Sequence, residues 1–309
     1  MRFNMSNAPL VTVCIPIYNG ERFLEEALIS AFNQSYSSIE IIISDDKSDD
    51  DSLLIIEELK IHNQKNFDIK IYSHERLGLV QNWNFCLSRA SGKYIKFLFQ
   101  DDILDSKCVE KMVTLAESKP EIGMVFTPRE LIVNDGMKVP FGVDILHEFW
   151  GNLQPIQKGS SLLKRRVLVK DPVNKIGEPT NVLIRKEILD KIGNFDCNLA
   201  QLVDWEMWLR IISCYDIGFI NEKLARFRIH DKQATNQNFI VGRGWDDIYK
   251  IWLKVLNEPV YHKVPLSTRL LIKGNLLYRL VNTLLKALPA RKPDDLRLLS
   301  TYIKKAIMS

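Results

Sequence analysis

No run of about 18 consecutive apolar residues occurs in this sequence, and a membrane-spanning helix needs about that length. The opening MRFNMSNAPL also lacks the apolar stretch of a secretory signal peptide. The five cysteines are odd in number, scattered and never spaced as CxxC, which argues against a disulfide framework and a zinc site. They are Cys14, Cys86, Cys108, Cys197 and Cys214. We therefore expect a cytoplasmic protein, either soluble or peripheral to a membrane.

Glycine-rich phosphate-binding loops are missing as well. No GxGxxG follows the first predicted strand and no GxxxxGK[ST] occurs anywhere, whereas a dinucleotide-dependent dehydrogenase or a P-loop NTPase would need one of them. If phosphates bind, a metal ion held by carboxylates is the favoured means. Mg²⁺ or Mn²⁺ takes one or two protein carboxylates and completes its shell with phosphate oxygens and water.

Positive charge is concentrated at the C-terminal end. The formal net charge is +4, but residues 239–309 carry 13 Lys and Arg against 5 Asp and Glu, so residues 1–238 have a net charge of −4. This distribution argues against a nucleic-acid-binding domain. An apolar stripe in the tail has helical spacing and basic flanks, so it either packs on the main domain or rests on an anionic inner membrane surface. The stripe is Leu277, Leu280, Val281, Leu284, Leu285 and Leu288, flanked by Arg269, Lys273, Arg279 and Lys286.

Short β-branched runs alternate with helical patterns in the first 130 residues, which is typical of βα units around a mainly parallel sheet. Strands are predicted at 11–17, 39–44, 68–73, 94–99 and 122–127, and helices at 21–34, 52–64 and 106–119. We assign no helix or strand to residues 129–178. Beyond them we predict a strand and helix over 181–196, a helix over 202–213, a strand over 217–230, and helices in the last 70 residues.

Polar and acidic clusters follow four of the predicted strands: IPIYNG, SDDKSDDD, HERLGLVQNWN and FQDD. Ligands of open α/β sheets bind beyond the carboxyl ends of the strands, so four clusters at one edge predict a site. Asp101 and Asp102 end the apolar run YIKFLF and point to opposite sides, so they can address two partners. Taken alone, the pair is more often a turn or a helix cap. Adjacent carboxylates also need a cation or hydrogen-bond donors to balance them.

With these segments in place, the chain resembles the family-2 glycosyltransferases, nucleotide-sugar-dependent enzymes of the GT-A fold. The matching segments are VTVCIPIYNG, ISDDKSDD, GLVQNWNFCLSRASGKYIKFLFQDDIL, GNFDCNLAQLVDWEMWLRI and FRIHDKQAT, within residues 9–236. The resemblance implies an α/β, Rossmann-like fold: a mainly parallel central sheet with helices on both faces, plus a C-terminal helical extension. We place the transferase domain at 1–238, with a nucleotide-binding half at 9–127 and an acceptor half at 128–238, and the basic extension at 239–309.

The resemblance also implies a nucleotide-sugar site formed by Pro16, Tyr18, Asp45, Arg76 and Asp101. Pro16, Tyr18 and Asp45 would line the nucleobase and ribose pocket, with Arg76 near the base or the phosphates. Other interpretations remain open at this point. Tyr18 is otherwise a packed aromatic at a strand end, and Arg76 a solvated loop cation.

The acidic turn has its own alternative, in which Asp45 and Asp46 cap the helix that starts near Ser52. Asn82, Trp83 and Asn84 are expected to be structural and to close a loop over the nucleotide.

For metal and base, the resemblance implies Asp102 and His230 as ligands of Mn²⁺ or Mg²⁺ and Asp204 as the catalytic base. Glu206 cannot share the pocket with Asp204, because residues two apart on a helix point about 200° away from each other. The alternatives are a helix N-cap for Asp204 and a structural role for His230. Arg228 shares a strand face with His230.

Three positions depart from the family pattern: Lys47 replaces a glycine, Phe99 an aspartate of the metal motif, and Val203 a glutamate beside the base. They support a rival hypothesis, a degenerate nucleotide-sugar-binding or scaffold protein. A sugar nucleotidyltransferase is a second rival, although it would need a Gly-rich basic loop after the first strand.

The favoured hypothesis is a metal-dependent inverting glycosyltransferase that uses a nucleoside diphosphate sugar, of the UDP or dTDP type. Its expected acceptor is a glycan or lipid-linked glycan of cell-surface polysaccharide or lipopolysaccharide synthesis. The expected location is the cytoplasm or the inner face of the membrane.

Overall fold

The computed structural model describes residues 8–61, 63–139, 142–233 and 243–290. The strands are β1 (Val11–Ile17), β2 (Ile39–Asp45), β3 (Asp68–Ser73), β4 (Tyr94–Phe97), β5 (Ile103–Leu104), β6 (Ile122–Phe126), β7 (Arg129–Val133), β8 (Ile156–Lys158), β9 (Val182–Arg185), β10 (Asp216–Phe219) and β11 (Ala225–Ile229). The helices are α1 (Glu21–Phe32), α2 (Ser52–Lys60), α3 (Leu79–Arg89), α4 (Cys108–Glu117), α5 (Gly159–Leu163), α6 (Leu189–Ile192), α7 (Val203–Cys214), α8 (Arg243–Asn257) and α9 (Leu266–Ala290).

An eight-stranded sheet in the order β3-β2-β1-β4-β9-β6-β10-β8 forms the centre of the molecule. The first four strands in this order run parallel, and β9 is inserted antiparallel between β4 and β6. The parallel register aligns Ile17 with Asp45, so the chain leaves β1 and β2 at the same level. A second, three-stranded sheet has the order β5-β11-β7, and the chain passes from β4 into β5 of this sheet through residues 98–102.

Helices cover both faces of the central sheet, as the sequence predicts. Alternate side chains of β1 point to opposite faces: Val13 and Ile15 pack with α1 and α4, whereas Cys14 packs with α3. Burial of these apolar faces is the main driving force for folding. The predicted α/β architecture, a mainly parallel central sheet with helices on both faces, is confirmed.

Two element predictions need correction. Residues 79–89, which contain Asn82, Trp83 and Asn84, form the helix α3 rather than a loop. The single strand predicted over 217–230 is two strands in different sheets, β10 and β11, separated by a turn.

The C-terminal helices share the core of the transferase domain. Trp252 of α8 and Ile272, Leu276 and Leu280 of α9 are almost completely buried in the same cluster as the strand side chains. The predicted boundary at residue 238 therefore does not separate two cores. Among the described residues, no helix is long and apolar enough to cross a membrane.

Candidate active site

The tips of β1 and β4 are joined by the Gln100 side chain. The backbone N–H of Tyr18 donates to Gln100 Oε1 at 2.8 Å, and Gln100 Nε2 donates to the Tyr18 carbonyl at 3.0 Å. A Cβ at Gly20 would stand 2.7 Å from Gln100 Oε1, so a larger residue there would displace the Gln100 side chain. The chain segments that follow the two strands are thereby held next to each other.

The acidic turn after β2 is fixed by its own carboxylates. Asp45 is fully buried and accepts from Ser48 N at 3.2 Å and Ser73 Oγ at 3.1 Å. Asp46, 2% exposed, accepts from the backbone N–H groups of Leu77 and Gly78 at 2.5 and 2.9 Å. Both carboxylates thus order the loops around the pocket.

Asp45 and Asp46 do not cap α2, which was the alternative interpretation of the acidic turn. At the start of α2, the Ser52 N–H donates to Asp50 Oδ1 at 3.0 Å.

Tyr18 and Arg76 form a stacked pair at the surface of this pocket. The Arg76 guanidinium carbon lies 2.9 Å from the centroid of the Tyr18 ring, and Arg76 Nε lies 3.3 Å from Asp46 Oδ2. Tyr18 is 40% exposed, so it is not a packed strand-end aromatic. A base can stack on the covered ring face only after the guanidinium moves. Pro16 is buried within β1.

Asp101, Asp102, Arg228 and His230 meet where β4 ends beside β11. His230 Nε2 lies 3.0 Å from Asp101 Oδ2. The Arg228 guanidinium donates to the Asp101 carbonyl and to Glu26 of α1, each at 3.0 Å. Arg228 therefore contacts the pair through the Asp101 carbonyl and forms its ion pair with Glu26, and it comes from a strand more than 120 residues later in the chain.

Asp102, which we expected as a metal ligand, has both oxygens occupied. It is fully buried, accepting from Thr180 Oγ1 at 2.6 Å and from the Arg228 backbone N–H at 3.2 Å. Burial, followed by the nearby charges of Asp101 and Glu178, raises the pKa of its carboxyl well above the usual range. Asp101, with its side chain one-fifth exposed, has the more accessible carboxylate of the two.

Asp204 lies in the first turn of α7 and is partly exposed. Oδ2 accepts from Asn174 Nδ2 at 2.9 Å, and Oδ1 accepts from the Trp205 N–H at 2.7 Å. Burial raises the pKa of this carboxyl to about 7; Glu178 adds to the rise and Arg129 opposes it. A carboxyl that titrates near neutral pH is suited to general-base catalysis.

Glu206, in contrast, is fully buried among Arg210, Lys254 and Tyr261. This placement agrees with the choice of Asp204 over Glu206 as the base.

Comparison with known proteins identifies the family. The sequence profile of Glycosyl transferase family 2 matches residues 12–193. The chain belongs to this family. It is 33% identical over 252 residues to an uncharacterized protein of Mycobacterium tuberculosis, covering 82% of this chain and 77% of the relative. An uncharacterized glycosyltransferase of Haemophilus influenzae is 27% identical over 236 residues, covering 75% and 69%.

Two solved structures share the fold of this family 2 glycosyltransferase. S. aureus TarS 1-349 in complex with UDP-GlcNAc matches with a TM-score of 0.63 and 16% identity, over 96% of this chain and 92% of that one. The mannosyltransferase PcManGT of Pyrobaculum calidifontis, in complex with GDP-Man and Mn²⁺, matches with a TM-score of 0.58 and 16% identity, over 98% and 82%. At this identity the likeness concerns the fold.

The residues of the glycosyltransferase fit a divalent metal with two protein ligands. Asp101 Oδ2 and His230 Nε2, which lie 3.0 Å apart, are the carboxylate and the imidazole that would hold such an ion. No group of three or more His, Cys, Asp or Glu suited to a metal occurs among the described residues. Water and substrate phosphates would complete such a shell. The imidazole favours a transition metal such as Mn²⁺ over Mg²⁺.

The segment 174–181, to which no sequence pattern assigned a role, connects Asp204 to the Asp101–Asp102 pair. Asn174 binds Asp204, Glu178 pairs with Arg129 of β7, and Thr180 binds Asp102. Glu178 Oε1 is buried and has no hydrogen-bond partner in the described part of the chain.

The buried Lys96 ammonium of β4 holds this segment by donating to the Thr180 and Val182 carbonyls. The one sequence signal for this was a lysine inside an otherwise apolar strand.

Proposed function

We propose that this family 2 glycosyltransferase is a metal-dependent, inverting enzyme that transfers a sugar from a nucleoside diphosphate sugar to a hydroxyl of a glycan acceptor. The observation that carries the proposal is the partly exposed Asp204 carboxyl in the first turn of α7, which Asn174 and the Trp205 N–H hold in place. Its raised pKa agrees with the role of a base. The segment that begins at Asn174 connects Asp204 to the acids after β4. An inverting transfer needs one base at the acceptor hydroxyl and positive charge at the departing diphosphate.

In this reaction, the ionised Asp204 carboxylate accepts the proton of the acceptor hydroxyl while the hydroxyl oxygen attacks the anomeric carbon. The bond from that carbon to the diphosphate oxygen breaks, and the diphosphate leaves with the electron pair on the opposite face. Held by Asp101 and His230, Mn²⁺ or Mg²⁺ would supply positive charge at the leaving diphosphate. The Asn174 amide donates to Asp204 Oδ2, and the Trp205 N–H at the start of α7 donates to Asp204 Oδ1, so the carboxylate is held in one orientation.

For the donor, we propose a nucleotide of the UDP or dTDP type. The exposed Tyr18 ring offers a stacking face and Arg76 a movable cation for the base or the phosphates. The solved TarS complexes contain UDP-GlcNAc or UDP, whereas the PcManGT complex contains GDP-Man, so a panel of donors must include both classes. The proposed acceptor is a glycan or lipid-linked glycan of cell-surface polysaccharide or lipopolysaccharide synthesis.

The three departures from the family pattern occupy structural positions, which favours an active enzyme over a degenerate binding or scaffold protein. Lys47 adopts a left-handed backbone with φ 61°, the conformation for which glycine is usual, and its ammonium pairs with Glu75. Phe99 stacks on Trp83 at 4.9 Å, and Val203 is buried. None of the three displaces Asp101, His230 or Asp204.

Acceptor-dependent release of nucleoside diphosphate tests the function. We expect the parent to release it only with donor, acceptor and Mn²⁺ or Mg²⁺ together, and Asp204→Asn to bind donor without release. Glu222→Gln is a matched control, because this carboxylate forms an exposed ion pair with Lys111. Donor binding without turnover in the parent, across donors and acceptors, would favour the scaffold hypothesis. Release of pyrophosphate from a nucleoside triphosphate and a sugar phosphate would favour the nucleotidyltransferase.

We also propose that α9 brings the enzyme to the anionic inner face of the membrane. The inward side of the helix packs on the core, but Leu266, Leu270 and Tyr278 are 61–72% exposed on its outward side. Two of the expected basic flanks are turned inward: Arg269 binds three backbone carbonyls, and Arg279 pairs with Asp171. Leu284, Leu285, Lys286 and Leu288 of the predicted stripe lie outside the described side chains.

Co-sedimentation with vesicles tests the membrane proposal. We expect salt-sensitive binding to anionic vesicles, weaker binding to neutral ones, and loss of binding when Leu266 and Leu270 are changed to Ser. The matched control is Leu54→Ser, at a 63% exposed leucine of α2. Binding to neither kind of vesicle would contradict the proposal.

A further inference from the structure

Helix α8 runs beside the segment 196–202, which leads into α7. Three of its side chains contact this segment. Lys254 lies 2.7 Å from Asp196 Oδ2, Lys250 donates to the Asn198 carbonyl at 3.1 Å, and Asp247 binds residues 200–202. Positions 247, 250 and 254 have the spacing of one helix face, so the segment is held along its length by a single face of α8.

Asp247 makes the most extensive of these contacts. Its carboxylate is 1% exposed and accepts from the backbone N–H groups of Ala200, Gln201 and Leu202 at 3.0, 2.6 and 2.9 Å. Hydrogen bonds from N–H groups to a buried carboxylate are among the stronger ones in proteins. Losing the carboxylate would leave three donors without this acceptor.

The position of these donors gives Asp247 a role at the start of α7. The N-cap residue of α7 is Leu202, whose side chain cannot accept a hydrogen bond, whereas N-caps are usually Ser, Thr, Asp or Asn. Asp247 instead binds the N–H of Leu202 and of the two residues before it, so it fixes the path of the chain into α7. Asp204 follows two residues later, so the same contacts set where the proposed base stands.

We infer that Asp247 is a positioning residue for the Asp204 base, and that α8 is therefore part of the catalytic unit. The inference rests on the proposed function, in which Asp204 accepts the acceptor proton. The family profile ends at residue 193, before both Asp204 and Asp247. The charged groups that influence Asp204 are Glu178 and Arg129, so Asp247 acts through geometry.

The test compares Asp247→Ala and Asp247→Asn with the parent by steady-state kinetics over pH 5.5 to 9. We expect kcat of Asp247→Ala to fall about 100-fold, the effect of misplacing a catalytic group by about 1 Å, with the donor KM nearly unchanged. The limb of the pH profile at about 7 should move to lower pH, because a displaced Asp204 loses burial. Asp247→Asn keeps one acceptor oxygen and should recover part of the rate.

Asp246→Asn is the matched control, since its carboxylate is one-third exposed and pairs with Lys250 on the same helix. A pH limb that stays in place in both Asp247 variants, with kcat reduced only in proportion to folded protein, would overturn the inference. Asp204→Asn in the same assay separates a failure of the proposed function from a failure of the positioning role. If it remains active, the proposed base itself is wrong; if it is inactive while Asp247→Ala behaves like Asp246→Asn, the positioning role alone is wrong.

Discussion

The Asp204→Asn variant should lose transfer and, relative to the parent, become more stable as the pH rises. A pKa raised from 3.8 to about 7 means that the folded protein favours the protonated carboxyl. The stabilisation from that proton is fully present below pH 3.8 and is lost progressively as the pH rises to about 7, after which the parent carries the full cost of the buried charge. The asparagine stays neutral throughout.

The size of the effect follows from the same values. Each pH unit between the two pKa values is worth about 1.4 kcal/mol, so the free energy of unfolding of the variant should improve on that of the parent by about 3 kcal/mol between pH 5 and pH 8. The difference at any single pH also contains the loss of one hydrogen bond, because the amide oxygen can replace only one of the two carboxylate oxygens that bind Asn174 and Trp205. The change with pH is therefore the quantity to measure.

Urea unfolding at pH 5 and pH 8 gives the stabilities, and acceptor-dependent diphosphate release gives the rates. We expect the rate to fall about 10²- to 10⁴-fold, the usual contribution of a positioned base. The parent rate should rise with pH through about 7 as Asp204 ionises. If the stability of Asp204→Asn equals that of the parent at both pH values, and the variant keeps more than about a tenth of the parent rate, then Asp204 is not the base, given that range.

The remaining predictions concern metal and nucleotide. Asp101→Asn should remove the Mn²⁺-dependent part of donor affinity in calorimetry, whereas Asp102→Asn, which mimics the neutral form that burial favours, should retain it; the opposite order would restore Asp102 as the ligand. Arg76→Ala should weaken donor binding about 10- to 100-fold, the range for a hydrogen bond to a charged group, and Arg76→Lys should not restore it because an ammonium lacks the planar stack. Equal affinity of parent and Arg76→Ala would exclude a role for this residue at the nucleotide.

Much of the nucleotide-binding half can be predicted because its signals are local. The bounds of β1 and β3 agree with the sequence pattern, and the acids of FQDD and SDDKSDDD do follow parallel strands. Helix α3 was missed although Val80, Trp83, Cys86 and Leu87 have helical spacing and are buried. The intervening Gln and Asn residues made the segment resemble a loop, but those side chains bind neighbouring elements, as Asn82 does with Ser44.

The difference between the surroundings of Asp101 and those of Asp102 could not be predicted from their neighbourhood in the sequence. It depends on β11, whose Arg228 N–H takes one oxygen of Asp102, and on Thr180, which takes the other. Asn174, Glu178 and Asp247 likewise bind residues at least 30 positions away in the sequence. Such contacts are set by tertiary packing, which a local pattern does not encode.

We propose above all that this glycosyltransferase inverts the anomeric centre of the donor sugar with Asp204 as the base. Proton NMR of the product, formed from a donor of known anomeric configuration in the presence of Mn²⁺ and an accepted glycan, tests it most directly. We expect a product of opposite configuration from the parent and none from Asp204→Asn, whose fold and donor affinity are retained. A product with the donor's configuration, or equal product from the variant, would contradict it.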